Sequence, residues 1–265
     1  KNKMNNVITK KIQGWEYIKT LGDKSHPFFV GLYKKDKKFA VVKAWSGSKN
    51  SQNYFSLKRE IRANKILSKA QTRLKKNTVF VPQYLGSRDN SQMLYFMSEY
   101  IKGNNLQNES TDVQYQAYLK AREYLKNISS VLTKKEIKEI GVRNKTYFAE
   151  TGVVLFPLAM IKSYKNFRLF FRAGAKFITN IFTKIKDKKT LVHGDLHPSN
   201  MIVKGKKMYI FDMEQSMITF STYEDATSLS TPKVSNKLHK KIINRVKNRR
   251  LKALSLMMIH VNIYN

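Results

Sequence analysis

Asp195, Asn200 and Asp212 carry the chemistry that this sequence can offer. The first two lie in the run Leu191-Val192-His193-Gly194-Asp195-Leu196-His197-Pro198-Ser199-Asn200, and the third closes Tyr209-Ile210-Phe211-Asp212. Phosphoryl transfer asks little covalent help of a protein. It needs Mg²⁺ held on the phosphates of ATP and a carboxylate facing the attacking hydroxyl. Asp195 is placed to be that carboxylate, and Asn200 and Asp212 offer the hard oxygen ligands that Mg²⁺ prefers. Between them, Met201-Ile202-Val203, then Lys204-Gly205-Lys206-Lys207, then Met208-Tyr209-Ile210-Phe211 reads as strand, tight turn, strand. Such a hairpin returns Asn200 and Asp212 to one end, close enough to share a metal.

The form H-G-D-L-H-P-S-N at 193–200 resembles the aminoglycoside phosphotransferase and choline kinase group, not typical protein kinases, where an arginine precedes the aspartate. Asp212-Met213-Glu214 stands where protein kinases have Asp-Phe-Gly, and its acid in the third place is similar to the choline kinase branch. The resemblance runs from roughly residue 15 to roughly residue 230. It implies an α+β, protein-kinase-like, two-lobed fold with ATP in the cleft. An N-lobe over 1–101 would hold a small antiparallel sheet of five strands and one helix. A mainly helical C-lobe over 102–265 would carry the catalytic loop and a basic C-terminal helix.

The elements that must position these residues begin near Trp15. Stretches 15–21, 28–33 and 39–45 read as strands, the last two separated by the charged turn Lys34-Lys35-Asp36-Lys37-Lys38. In Ala40-Val41-Val42-Lys43-Ala44-Trp45 a cation closes a β-branched run, and Lys43 resembles the third-strand lysine that contacts the α- and β-phosphates. A helix over 53–70 carries Leu57, Ile61, Ile66 and Leu67 at helical spacing. Glu60 is the sole acid between Asp36 and Asp89, so an ion pair to Lys43 from this helix falls to Glu60. The loop Gly22-Asp23-Lys24-Ser25-His26-Pro27 has one glycine. Ser25 and Lys24 are its candidates for phosphate contact, and a plain hairpin turn is the competing reading. Stretches 79–82 and 93–100 complete the five-stranded sheet. The following E-Y-I-x-G-x-x-L resembles the family's inter-lobe hinge, which implies adenine contacts from the backbone of Glu99, Tyr100 and Ile101. Gly103 gives the chain freedom to turn into the next lobe.

Residues 107–190 read as mostly helical. Phe167, Phe170, Phe171, Gly174, Ile178, Ile181, Phe182 and Ile185 fall on one helical face, with Arg168, Arg172 and Lys176 on another. That helix either packs beneath the catalytic loop or lies on a membrane. After Asp212, Thr222-Tyr223-Glu224-Asp225-Ala226 resembles the segment whose aspartate braces the catalytic loop. An N-cap or surface role for Asp225 stands beside that reading. Leu238, Ile242, Ile243, Val246 and Leu254 indicate a final helix with a basic outer face.

Composition limits the partners. The 265 residues suffice for a full core, and 42% hydrophobic content excludes general disorder. No cysteine is present, which removes disulfides, zinc–thiolate sites and a thiol nucleophile. The longest apolar run, 153–161, is too short to span a bilayer and contains Pro157. No signal peptide is visible, and the sequence opens on Lys1, leaving room for an upstream segment. Lys and Arg number 51 against 18 Asp and Glu, a net charge of +33. Such a field attracts polyanions: RNA, an anionic membrane or a phosphorylated glycan. Residues 231–265 hold nine cations and 151–186 hold seven, with no acid in either.

The expected function is ATP- and Mg²⁺-dependent transfer of phosphate to a hydroxyl of a small-molecule, sugar or lipid-linked acceptor, itself anionic. Lys43 oriented by Glu60 would hold the α- and β-phosphates, and Asp195 would orient and deprotonate the acceptor. The expected setting is intracellular, cytoplasmic or organellar, or peripheral at an anionic membrane. A second reading, favoured by the charge, is a kinase-fold component of a ribonucleoprotein that retains the pocket but contributes mainly a basic surface.

Overall fold

Alternation of apolar and polar residues with period two builds the first half of the molecule. In β4 (Lys38–Trp45) it sends Val42 and Ala44 to one face and Lys43 and Trp45 to the other. The computed structural model describes residues 11–21, 27–91, 93–143, 188–227 and 234–245, with Phe171, Ala175 and Thr179 as isolated helical positions. β1 (Lys11–Ile12), β2 (Trp15–Thr20), β3 (Phe29–Lys35), β4, β6 (Tyr84–Asp89) and β7 (Leu94–Glu99) form a six-stranded antiparallel sheet in the order β1-β2-β3-β4-β7-β6. One face buries Tyr33, Val42, Tyr95 and Met97. The opposite face carries Phe28, Leu94 and Phe96 beneath the first helix.

That helix, α1 (Gln52–Ala70), starts at Ser51, whose hydroxyl accepts the Tyr54 amide. It belongs to two cores. Tyr54 and Leu57 pack on the sheet, whereas Ala63, Ile66, Leu67 and Ala70 enter the core of the second lobe. There they meet α2 (Thr111–Ser130), a 20-residue helix that buries Tyr118, Ala121, Leu125 and Ile128 at i, i+3, i+4 spacing. A capping box opens α3 (Lys134–Ile140).

β5 (Val79–Phe80) corrects one expectation. It does not join the large sheet but runs parallel to β11 (Lys207–Ile210), within a four-stranded sheet ordered β5-β11-β10-β8. β10 (Met201–Lys204) and β11 are the expected hairpin, and β8 is Asn104–Asn105. The large sheet is completed instead by β6, whose polar sequence Tyr84-Leu85-Gly86-Ser87-Arg88-Asp89 gives no alternating signal. β9 (Lys189–Val192) pairs antiparallel with β12 (Met217–Phe220) and delivers the chain to the loop 193–200. Two short helices, α4 (Thr222–Thr227) and α5 (Asn236–Ile243), follow. α5 buries Leu238 and Ile242 and exposes Lys237, Lys240 and Lys241. Val246, Leu254 and the stripe Arg168, Arg172 and Lys176 lie outside the described residues. Phe171, expected on an apolar face, is 57% exposed.

Gly103 is needed for closeness, not for conformational freedom. A Cβ there would sit 2.3 Å from the Val203 carbonyl oxygen and 2.6 Å from Ile202 Cγ2, just before β8 pairs with β10. Gly103→Ala should lower the thermal midpoint by the equivalent of roughly 1–3 kcal/mol, the usual cost of overpacking. An unchanged midpoint in a thermal melt would show that β10 yields.

Candidate active site

Lys43 and Glu60 meet because their elements leave them little else to do. Lys43 is held in the middle of β4 between Val30 on β3 and Phe96 on β7, so it projects from the sheet face that α1 covers. Glu60 is buried in α1 opposite it, and Lys43 Nζ lies 2.7 Å from Glu60 Oε2. The same ammonium donates to Asp212 Oδ1 at 3.0 Å and sits 4.8 Å from the centre of the Phe28 ring. The expected ion pair is therefore present, and Asp212 is its third member.

These charges shape one another. Burial alone would lower the Lys43 ammonium, but Glu60 and Asp212 outweigh it and hold the group above the usual lysine range. Burial pushes the Glu60 carboxyl up to about 7; Lys43 pulls it back, and the negative charges of Asp212 and Glu214 add to the rise. The carboxylate oxygens of Glu60, Asp212 and Glu214 lie within 4.8 Å of one another. Glu60 and Asp212 already share the Lys43 ammonium, so of this set Asp212 is the oxygen donor that, with Asn200, suits Mg²⁺.

α1 also grips the segment after Asp212. Ser56 Oγ is hydrogen-bonded to Glu214 Oε2, and Arg59 Nε donates to the Glu214 carbonyl at 3.3 Å. Asp212 itself has φ 60° and ψ 52°, the left-handed region that a residue other than glycine enters at a cost.

The loop 193–200, which the sequence expects to be catalytic, is fixed from behind. His193 is fully buried. Its Nε2 lies 2.6 Å from the Phe211 carbonyl and its Nδ1 accepts the Asp195 amide at 3.2 Å. A carbonyl on one nitrogen and an amide on the other assign the neutral Nε2–H tautomer. The imidazole thus ties Asp195 to the residue before Asp212. Asn200 Nδ2 donates to the Asp195 carbonyl at 3.0 Å, which leaves Oδ1 for a cation. The Phe211 amide donates to the Asn200 carbonyl at 3.0 Å, so Asn200 and Asp212 do emerge at one end of the hairpin. Gly194 has φ +85°, and a Cβ on it would lie 2.7 Å from the Gln215 carbonyl oxygen. Glycine is the residue that fits there.

The brace is Glu224, one place before the expected Asp225. The Glu224 carboxylate accepts the His193 and Gly194 amides, the second at 3.3 Å. Burial raises this carboxyl, while the His193 amide and the Arg122 charge oppose the rise. Asp225 instead accepts the Tyr118 hydroxyl at 2.8 Å and pairs with Arg122 at 3.2 Å. The longer side chain reaches the loop from one position earlier, and adjacent acids give the sequence no means of choosing between them.

At the hinge, the Glu99 amide donates to Gln83 and the Tyr100 amide to Phe39. Ile101 follows them, buried. Ser25 and Lys24 lie outside the described residues. A cleft of about 640 Å³ is lined by Lys43, Asp212 and Glu214 and by Arg59, Arg143 and Tyr223. Asp195 and Asn200 are not in that lining. Sequence reasoning missed Arg59, Arg143, Glu214 and Ser56 as members of one pocket. The i, i+4 placement of Ser56 and Glu60 in the first helix was the available signal for Ser56.

Comparison with known proteins agrees with this geometry. The sequence model of the phosphotransferase enzyme family matches residues 41–234. Aminoglycoside phosphotransferase APH(4)-Ia superposes with a TM-score of 0.66 at 11% identity, over 99% of this chain and 89% of that one. The spectinomycin phosphotransferase APH(9)-Ia, solved with ADP and its antibiotic, gives 0.56 at 11% identity over 88% and 74%. The streptomycin–ATP–APH(2")-IIa ternary complex gives 0.53 at 16% identity over 95% and 84%. No curated protein matches the sequence.

Proposed function

This chain belongs to the phosphotransferase enzyme family, and from that premise we propose that it transfers the γ-phosphate of ATP to a hydroxyl of an anionic small-molecule, sugar or lipid-linked acceptor. The observation that carries the proposal is Lys43, desolvated between Glu60 and Asp212. An architectural part of a ribonucleoprotein has no use for a buried ammonium held by two carboxylates, since such a group is costly to desolvate.

In this reading Lys43 binds the α- and β-phosphates, and Glu60 keeps it aimed. An adenine edge offers a donor and an acceptor. The Glu99 carbonyl and the Ile101 amide are the hinge groups to meet them, because the Glu99 and Tyr100 amides are already engaged. Mg²⁺, held by Asn200 and Asp212, would neutralise phosphate charge. Asp195 orients the acceptor hydroxyl and takes its proton. Arg59 and Arg143 line the cleft with Lys43 and Asp212, and guanidinium forks suit phosphate or carboxylate. Aminoglycosides, which several structural neighbours bind, are polyamines and would meet two arginines here. That contrast favours an anionic acceptor, as does the +33 charge.

Calorimetry with ATP tests the metal assignment. Affinity should rise with Mg²⁺ in the native protein, and Asp212→Ala should lose that gain. Equal affinity with and without Mg²⁺ in the native protein would remove Asn200 and Asp212 from metal binding.

A further inference from the structure

A second cavity, of about 410 Å³, lies against α2 and β9, apart from the cleft. No residue lines both. Four cations, Arg122, Lys126, Lys188 and Arg245, surround it with two acids, Glu123 and Glu224. Both oxygens of Glu224 already accept amides of the catalytic loop. Glu123 stands on the exposed side of α2, three residues before Lys126. With Asp225, which pairs with Arg122 from outside the lining, four cations face three acids, so the positive charge is in excess by one within a space the size of a small-ligand site.

Arg122 is the most informative member. Its side chain is 18% exposed, and Nη2 serves both the Ser221 carbonyl at 2.9 Å and Asp225 at 3.2 Å. These contacts fix the guanidinium as a rigid fork. Nε and Nη1 have no hydrogen-bond partner among the described residues. A fixed guanidinium with donors to offer, flanked by two lysines and a second arginine, suits an oxyanion with several acceptor oxygens.

We propose that this cavity binds a small phosphate-bearing anion, and that its occupancy is communicated to the catalytic loop through Glu224. Glu224 lines the cavity and holds the His193 and Gly194 amides, so a charge placed beside it acts on the loop that carries Asp195. The coupling must be reciprocal: an anion in the cavity changes the affinity for ATP by the factor by which ATP changes the affinity for the anion.

The test is titration of inorganic pyrophosphate by calorimetry into protein saturated with Mg²⁺ and a non-hydrolysable ATP analogue, which occupy the cleft. One further site is expected. The double variant Lys126→Gln/Lys188→Gln, both exposed positions, should weaken it by roughly tenfold or more and leave the fold intact. No heat with the cleft filled, or an unchanged affinity in the double variant, overturns the site. Vesicles of anionic phospholipid form a second arm. Vesicle binding that weakens in the double variant identifies a lipid headgroup as the phosphate source, and pyrophosphate binding that weakens while vesicle binding does not identifies a free phosphate. Amide exchange at His193 and Gly194 should slow with pyrophosphate in the native protein and not in the double variant. Equal exchange in both overturns the communication through Glu224.

Discussion

Asp195→Asn should cut turnover by roughly 10² or more while leaving the affinity for ATP unchanged, the usual scale for losing a positioned general base. The substitution is nearly isosteric, and what holds this residue in place is its backbone. The His193 ring takes its amide and the Asn200 amide group takes its carbonyl. Neither contact uses the carboxylate, whose side chain is 31% exposed. The carboxylate's one side-chain neighbour is His197, with Nε2 at 3.4 Å from Asp195 Oδ2, a contact that an asparagine amide can keep; the substitution therefore retains the loop and removes the proton acceptor. Phosphate release or transfer, measured beside a calorimetric ATP titration, separates the two effects. Unchanged turnover would take Asp195 out of the chemistry, and a parallel loss of ATP affinity would make it a binding residue.

Lys43→Met should destabilise the fold by roughly 3–5 kcal/mol at pH 8, because it strands a buried carboxylate without its cation. The loss should shrink on acidification. Glu60 has a folded pKa of about 7 even with Lys43 beside it, well above its ordinary value, and removing Lys43 takes away the influence that lowers it. A carboxyl raised in the folded state binds its proton more tightly there than in the unfolded chain. Stability therefore falls as pH rises from the unfolded value through the folded one, and acid restores it. Urea denaturation of the variant at pH 8 and pH 6 reads the difference. Equal losses at both would mean that Glu60 is not the group left uncompensated.

The catalytic hairpin and the Lys43 strand were legible because their information is local. Period two, a Gly-Lys turn and a cation in a β-branched run all lie within ten residues. The errors are failures of partnership. Val79 and Phe80 announce a strand, but nothing near them says that the neighbour is Met208 and Tyr209, about 130 residues away. Tyr84 to Asp89 pairs with β7 through a register shift at Gly86, and its exposed, polar side chains hide the strand. Glu224 and Asp225 are chemically alike, so the choice between them rests on reach across the folded chain. Arg59 and Arg143 come together only once α1 and the end of α3 share a wall.

The division of α1 between two cores bears on how this protein can be controlled. Its first half rests on the sheet and its second half is buried with α2, so the helix cannot swing outward without breaking one of those cores. Glu60 lies between the two halves. Separation of Glu60 from Lys43 by an outward swing of the helix is then a local unfolding event and not a low-lying alternative state. The Lys43–Glu60 ion pair is a product of folding itself. A phosphotransferase built this way has no resting conformation stored in that helix. Its output follows the amount of protein, the supply of substrate and whatever acts on the catalytic loop.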